Sequence, residues 1–338
     1  MAFKWVHGGT DALGVPAHDF STNRNACGPC PEAVRAVQRA SSMQYPDPAY
    51  AELRAQLAAF HAVDATRIVI AGSASEWIHR MTMHAARCGA AAITLPKFHY
   101  GDYLHAAVSW RLAQWARNEH AAHAGLHWAC EPSSPLGHAE DIWPYWSAQA
   151  PAHAWRVLDC AYRPLILEGR DASEDLNRVW QMWTPNKALG MTGVRAAYVI
   201  APLEASESEL QELQLLAPSW VIGAHGMAML QAWVQAPTQI WLAESLVQLK
   251  AWKHLQITLC EQLGWEVISG SMANYFVARW PADWHGERMR AALAALREQG
   301  IKLRDCSSFG LNGHVRLGVL PPGSQYALRC AWLEILKK

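Results

Sequence analysis

The chain has no charge imbalance: 29 Lys and Arg stand against 29 Asp and Glu among 338 residues, so a strongly basic nucleic-acid face is not expected. Long apolar runs are also missing. His, Arg, Gln or Glu interrupts each of them before it reaches the length of a membrane span. The opening MAFKWVHGGTD lacks the apolar core of a secretory signal, which points to the cytoplasm. Neither an internal repeat nor a low-complexity tract occurs. A second CxxC is absent too. Eight cysteines are scattered, and only Cys27 and Cys30 are close. Their CGPC string matches a thioredoxin-like redox pair, but it sits in a polar, turn-rich stretch rather than opening a helix after a strand. No second CxxC pairs with it for zinc, so two free thiols in a turn are expected. His79 and His84 are spaced off a common helical face, and no metal site is expected. The acidic run Glu204–Glu212 reads as a solvated helix face.

Short apolar runs alternate with helical patterns through the middle of the chain, which predicts an α/β sheet. Strands are expected over Arg67–Gly72, Ala91–Leu95, Gly125–Cys130, Trp155–Asp159, Arg178–Trp183 and Arg195–Ala201. Helices are expected over Ser75–Arg87 and Tyr100–Trp110. After about Pro218 the texture changes. Helices over Val221–Gln235, Gln239–Leu263 and Glu287–Glu298 mix with short strands at Glu266–Ser269, Tyr275–Arg279, Ile301–Arg304 and Val315–Val319. A chain of this length exceeds one compact core, so a large α/β domain and a smaller α+β domain are expected.

Three strings carry chemistry. Trp183-Thr-Pro-Asn-Lys187-Ala-Leu-Gly-Met-Thr-Gly-Val-Arg195 places a lysine between a strand and a glycine-rich turn. Such an amine can form an imine with an aldehyde cofactor, and the arginine can hold an anionic handle. Val157-Leu-Asp159-Cys-Ala-Tyr162 puts an aspartate at the carboxyl end of a buried strand, where it can pair with a protonated ring nitrogen. Ala71-Gly72-Ser73-Ala74-Ser75-Glu76 is a strand end turning into a helix, with small residues that let backbone N–H groups approach a phosphate. It is neither GxGxxG nor a Walker motif, so no nucleotide is implied.

In this order the strings resemble the fold-type I pyridoxal-phosphate enzymes, in the branch that holds histidinol-phosphate aminotransferase and threonine-phosphate decarboxylase. The resemblance spans nearly the whole chain. His7-Gly8-Gly9, Asp19-Phe-Ser-Thr-Asn23-Arg-Asn25, Leu303-Arg304-Asp305-Cys306-Ser-Ser-Phe and His314-Val-Arg316 are similar to the decarboxylase family's opening and ending. Tyr45-Pro-Asp-Pro48 occurs in both.

The resemblance implies an α/β fold with a mainly parallel seven-stranded sheet. Residues 41–218 would be the large domain, 219–338 the small one, and 1–40 an arm packing with it. It implies pyridoxal 5'-phosphate on Lys187 as a Schiff base, Asp159 at the pyridine nitrogen and Tyr162 beside the ring hydroxyl. Ser73, Ala74 and Ser75, with Thr184 and Arg195, would hold the cofactor phosphate, and Asn186 replaces the serine usual before the lysine. Tyr100, rather than Phe98, would stack on the ring. Ser134 stands where the family has an asparagine on the ring hydroxyl. Tyr45 would reach a neighbouring subunit's cofactor, which implies a homodimer with composite sites. Arg316 would bind the substrate carboxylate, His7 and Arg304 the substrate phosphate, and Asn23 would line the same site. The opening and ending strings favour decarboxylation of L-threonine O-3-phosphate to (R)-1-aminopropan-2-yl phosphate. An aminotransferase of the histidinol-phosphate type is the alternative, and a non-catalytic relative the second.

Overall fold

The computed structural model describes residues 8–115, 117, 124–148, 154–169 and 176–337. A short strand, β1 (His18–Asp19), precedes helices α1 (Pro31–Arg39) and α2 (Ala51–His61). The β-branched run of β2 (Ile68–Ala71) then enters a seven-stranded sheet. It continues through α3 (Ala74–Arg87), β3 (Ala92–Thr94), α4 (Gly101–Ser109), β4 (Ala113–Trp115), β5 (Leu126–Cys130), α5 (Trp143–Ala148), β6 (Trp155–Asp159), β7 (Trp180–Trp183) and β8 (Ala197–Ile200). The strand order is β2-β8-β7-β6-β5-β3-β4, parallel throughout except for β8, which runs against both neighbours.

This is the expected mainly parallel sheet, covered on both faces. Alternate residues serve opposite clusters: Ile68, Ile70, Tyr198 and Ile200 face one, Val69, Ala71, Ala197 and Val199 the other. The three-residue β4 and the helices α1 and α2 were not among the expected elements, although Pro31, Glu32 and Arg39 mark the two ends of α1. The strand expected from Arg178 starts at Trp180, because Leu176–Arg178 form a 3₁₀ turn whose Asn177 carbonyl accepts from Leu203 N–H (2.8 Å).

Beyond α6 (Glu207–Leu215), helix α7 (Ala224–Trp233) and the long α8 (Ala236–Gln262) follow, parted where Pro237 opens the second helix. Met229, Leu230, Leu242 and Leu249 join the cluster on one sheet face, whereas Cys260 belongs to the carboxyl-terminal core. That core holds β9 (Glu266–Val267), β10 (Tyr275–Arg279), α9 (Gly286–Glu298), β11 (Ile301–Lys302), β12 (Arg304–Asp305), β13 (His314–Gly318) and α10 (Pro322–Ile335). Strands β12-β13-β10-β9 form an antiparallel sheet.

The single strand expected over Ile301–Arg304 is two. Its first half pairs in parallel with β1 and its second half with β13, so the chain changes sheets at Leu303. Trp265, Trp280, Trp284 and Trp332 pack ring on ring in this core, with Phe20 from the amino-terminal segment. Cutting fully buried Trp332 to alanine would cost on the order of 3–5 kcal/mol. Among the described residues no helix is long and apolar enough to cross a membrane. All eight cysteines are free, and Cys30 is buried at the start of α1.

Candidate active site

Loops leaving the carboxyl ends of the parallel strands line a cavity of about 730 Å³. Asp159 is the last residue of β6, Thr184 follows β7, and the turn after it carries Lys187. The Lys187 carbonyl accepts from Asn25 N–H (2.8 Å) and Gly190 N–H (3.1 Å), which ties this turn to the amino-terminal segment. Gly190 adopts φ +68°, and a side chain there would press on the Gly28 backbone at 3.0 Å, so glycine is required at this crossing. The Lys187 ammonium stands 5.1 Å from the centre of the Tyr162 ring.

Asp159 is buried, and its carboxylate is bound from two sides. Oδ1 accepts from Ala161 N–H (2.8 Å) and Oδ2 from the Tyr103 hydroxyl (2.7 Å). Burial raises its pKa above the usual carboxylate range, while Lys187, Tyr103 and the Ala161 N–H pull it back down. Tyr103 is fully buried, stacked on Trp128 with ring centres 4.8 Å apart.

The second wall is the start of α3. Ser73 caps it, accepting from Glu76 N–H (3.1 Å), and the Glu76 carboxylate accepts from Gly72 N–H (2.9 Å). These contacts orient the first turn, where orphan N–H groups and the helix dipole favour an anion. Ser73, Ala74 and Ser75 all face the cavity. The Ser75 hydroxyl donates to Asp102 (2.6 Å), so its proton is already committed. Thr184 Oγ1 and Asn186 Oδ1 are buried without a partner, and exposed Arg195 lines the same end.

The opposite end is assembled from distant segments. Asp19 accepts from Ser21 N–H (3.0 Å) and from the hydroxyls of Ser21 and Thr22, which folds the amino-terminal strand into a turn. That turn crosses β13 at Gly318, whose N–H donates to Phe20 (2.7 Å); a Cβ there would meet Thr22 O at 2.3 Å. Arg316 is thereby placed to donate to Ser21 O (3.1 Å) and Ser134 Oγ (3.2 Å), while its Nε stays buried and unpaired. Arg304 lies opposite it across the ladder and donates to Ser308 Oγ (2.8 Å). Both guanidiniums stand over the Phe309 ring, at 4.7 Å for Arg304 and 5.8 Å for Arg316. Burial and the neighbouring Arg316 charge push the Arg304 pKa down to about 10. Asn23 beside them is buried with both amide atoms unsatisfied.

The cavity therefore brings together Ser73, Ala74, Ser75, Tyr100, Ser134, Asp159, Tyr162, Thr184, Asn186, Lys187, Arg195, Asn23, Arg304 and Arg316. Tyr100 lines it and Phe98 does not. Tyr45 is elsewhere: 77 % exposed, it stacks on Trp220 at 4.4 Å. His7 lies outside the described residues. Sequence reasoning missed Tyr103 and Asp102. Tyr103 follows Tyr100 by three on a predicted helix, the spacing that shares a face, so a signal was present.

The class I and II aminotransferase family model matches residues 128–329. Histidinol-phosphate aminotransferase 1 of Archaeoglobus fulgidus is 24% identical over 345 residues, covering 94% of this chain and 98% of that one. The Jannaschia sp. histidinol-phosphate aminotransferase is 27% identical, over 90% and 87% of the two chains. Among solved structures, the Sinorhizobium meliloti histidinol-phosphate aminotransferase in complex with pyridoxal-5'-phosphate superposes with TM-score 0.81 at 19% identity, covering 99% and 96%. L-threonine-O-3-phosphate decarboxylase of Porphyromonas gingivalis reaches 0.71 at 17% identity, covering 91% and 94%.

These relatives correct the expectation of a threonine-phosphate decarboxylase. The sequence relatives that span most of the chain are aminotransferases, whereas the decarboxylase enters through likeness of fold. The physical reason lies in the strings that suggested it. Gly8 and Asp19 shape the amino-terminal turn, and Arg304 with Ser308 shapes the arginine end. Neither string sets which substrate bond is aligned for cleavage. On the match over residues 128–329, the chain belongs to the aminotransferase class I and II family.

Proposed function

We propose that this chain is a pyridoxal-phosphate-dependent aminotransferase acting on a phosphorylated amine of the histidinol-phosphate type. One observation carries the reading: a lysine–aspartate pair at one end of a single cavity faces two buried arginines at the other. The residues fit the cofactor. The open first turn of α3, with the unpaired Thr184 hydroxyl and Arg195, offers a phosphate cradle, and buried Asp159 offers a negative charge for a ring nitrogen.

Bound there, pyridoxal phosphate supplies an aldehyde that condenses with amines and a ring that accepts the electron pair released at the adjoining carbon. Lys187 is the amine that holds the cofactor and then carries the proton to and from the substrate carbon. Asp159 keeps the ring nitrogen protonated, and Tyr103 and the Ala161 N–H hold that carboxylate charged against its burial. Tyr162 stands beside the Lys187 ammonium, and Tyr100 walls the ring site. Arg304 and Arg316 hold the phosphate of the donor and the carboxylate of the acid in the return half-reaction, with Ser134 and Asn23 orienting them. Tyr45 serves a second copy of the chain, so the working form is a homodimer with composite sites. Its exposed ring outside the Lys187 cavity supports this.

The test is to mix the yellow holoenzyme with L-histidinol phosphate alone. The colour is expected to be lost in one stoichiometric turnover and restored by a 2-keto acid, with the amine transferred. Carbon dioxide release from an amino-acid phosphate over many turnovers without a keto acid would overturn the assignment.

A further inference from the structure

On the far side of α3 from the cavity, His84 and Cys88 occupy positions one helical turn apart, and α6 crosses them with Glu209 and Glu212. His84, Cys88 and Glu212 offer ligand atoms that all lie within 4.8 Å of one another. His84 Nδ1 is 3.6 Å from a Glu212 carboxylate oxygen and 4.0 Å from Cys88 Sγ. We propose that these three side chains form a binding site for a single zinc-type divalent cation, with Glu209 as the carboxylate that orients the histidine.

Four physical points support it. First, a tetrahedral zinc with ordinary bond lengths sets its nitrogen, sulfur and oxygen ligands about 3.3–3.6 Å apart. The two exposed side chains, Cys88 and Glu212, need only small rotations to reach that spacing. Second, the imidazole is only 3% exposed, its N···O separations are longer than hydrogen bonds, and Cys88 Sγ lies 3.9 Å from Nε2 and 4.0 Å from Nδ1.

Third, the other ring nitrogen faces Glu209 at 3.8 Å, and Trp155 Nε1 donates to that carboxylate. This is the outer carboxylate that metal-bound histidines use to fix their tautomer. Fourth, Cys88 caps the carboxyl end of α3, where the helix dipole favours a cation. Three protein ligands leave a fourth position for water. The ion would staple α6 to the helix whose opposite end forms the anion cradle.

The experiment uses the full-length holoenzyme, freed of metal with a chelator and kept reduced, then titrated with cobalt(II) and zinc(II). One cobalt per chain is expected, with ligand-field and sulfur-to-metal bands of a tetrahedral thiolate site that zinc displaces. Cys88→Ser should lose the sulfur band and weaken binding by about a hundredfold or more, and Glu209→Gln by about tenfold. Zinc should raise the melting temperature of the wild type but not of Cys88→Ser. Uptake of no cobalt, or uptake by Cys88→Ser with wild-type affinity and spectrum, would overturn the site. Cys88 and Glu212 are exposed, so their variants fold even if buried His84 tolerates no change.

Discussion

The two ends of the cavity are built differently. At the Lys187 end, every group comes from the carboxyl edge of one sheet, and Asp159 is bound by Ala161 and Tyr103 before anything else arrives. At the arginine end, residues 21–23, 134 and 304–316 meet only because the amino-terminal turn crosses β13 at Gly318. Buried polar atoms stay unpaired at both ends: Thr184 Oγ1 and Asn186 Oδ1 near Lys187, and Arg316 Nε and both amide atoms of Asn23 near the arginines. What differs is the charged group: the Asp159 carboxylate is held on both oxygens, whereas Arg316 keeps a buried donor free for a ligand. The first is expected to tolerate little change, and the second to trade affinity for choice of substrate.

The comparison can be broken in four places, in order of expected effect. Lys187→Ala should abolish both turnover and covalent retention of the cofactor. A borohydride-reducible adduct persisting in that variant would remove Lys187 from its place. Asp159→Asn should lower kcat by on the order of 10²-fold or more, with KM little changed.

The same change has a second, opposite consequence in the cofactor-free protein. Burial raises the folded-state pKa of Asp159, so the stability linked to this group is present in acid and lost as pH rises through that pKa. Asparagine carries no charge to bury, so the variant should melt higher than wild type near neutral pH. The gap should close on acidification, as melting curves across pH would show. A gap that widens in acid would mean that Lys187 and Tyr103 outweigh burial.

At the other end, Arg316→Ala should raise KM about 30-fold, roughly 2 kcal/mol, while cofactor affinity stays put. Equal losses of substrate and cofactor binding would merge the two ends into one. The smallest effect is expected from Tyr103→Phe. Removing a hydroxyl that lowers the Asp159 pKa should move the acid limb of kcat to higher pH, with activity at alkaline pH nearly intact. An unmoved limb would show that the Ala161 N–H alone holds the carboxylate.

The difference between the ends also explains what could be read in advance. Lys187, Asp159 and the Ser73–Ser75 turn were legible because each lies beside a strand end, and a buried parallel strand announces itself as an apolar run. Tyr103 shares a helix face with Tyr100 in the sequence, but its task of holding Asp159 is set by the 2.7 Å contact. The decarboxylase expectation failed for a related reason. Strings such as Asp19-Phe-Ser-Thr and Arg304-Asp-Cys describe how the amino-terminal segment meets β12 and β13, not which bond is aligned for cleavage. Glu204–Glu212 likewise reads as a solvated acidic face, whereas Glu209 and Glu212 face a buried imidazole.

By itself the sequence determined the sheet, the order of its strands' chemical residues and the kind of cofactor such residues can hold. Those depend on local periodicity and on groups close in the chain. Tertiary structure alone decided that Arg304 and Arg316 share one aromatic ring, that Tyr103 supports Asp159, and that α6 brings two carboxylates to His84 and Cys88. In each case the partners are far apart in sequence. Their meeting is set by how strands and helices pack, through close backbone crossings such as that at Gly318, and no spacing along the chain encodes it.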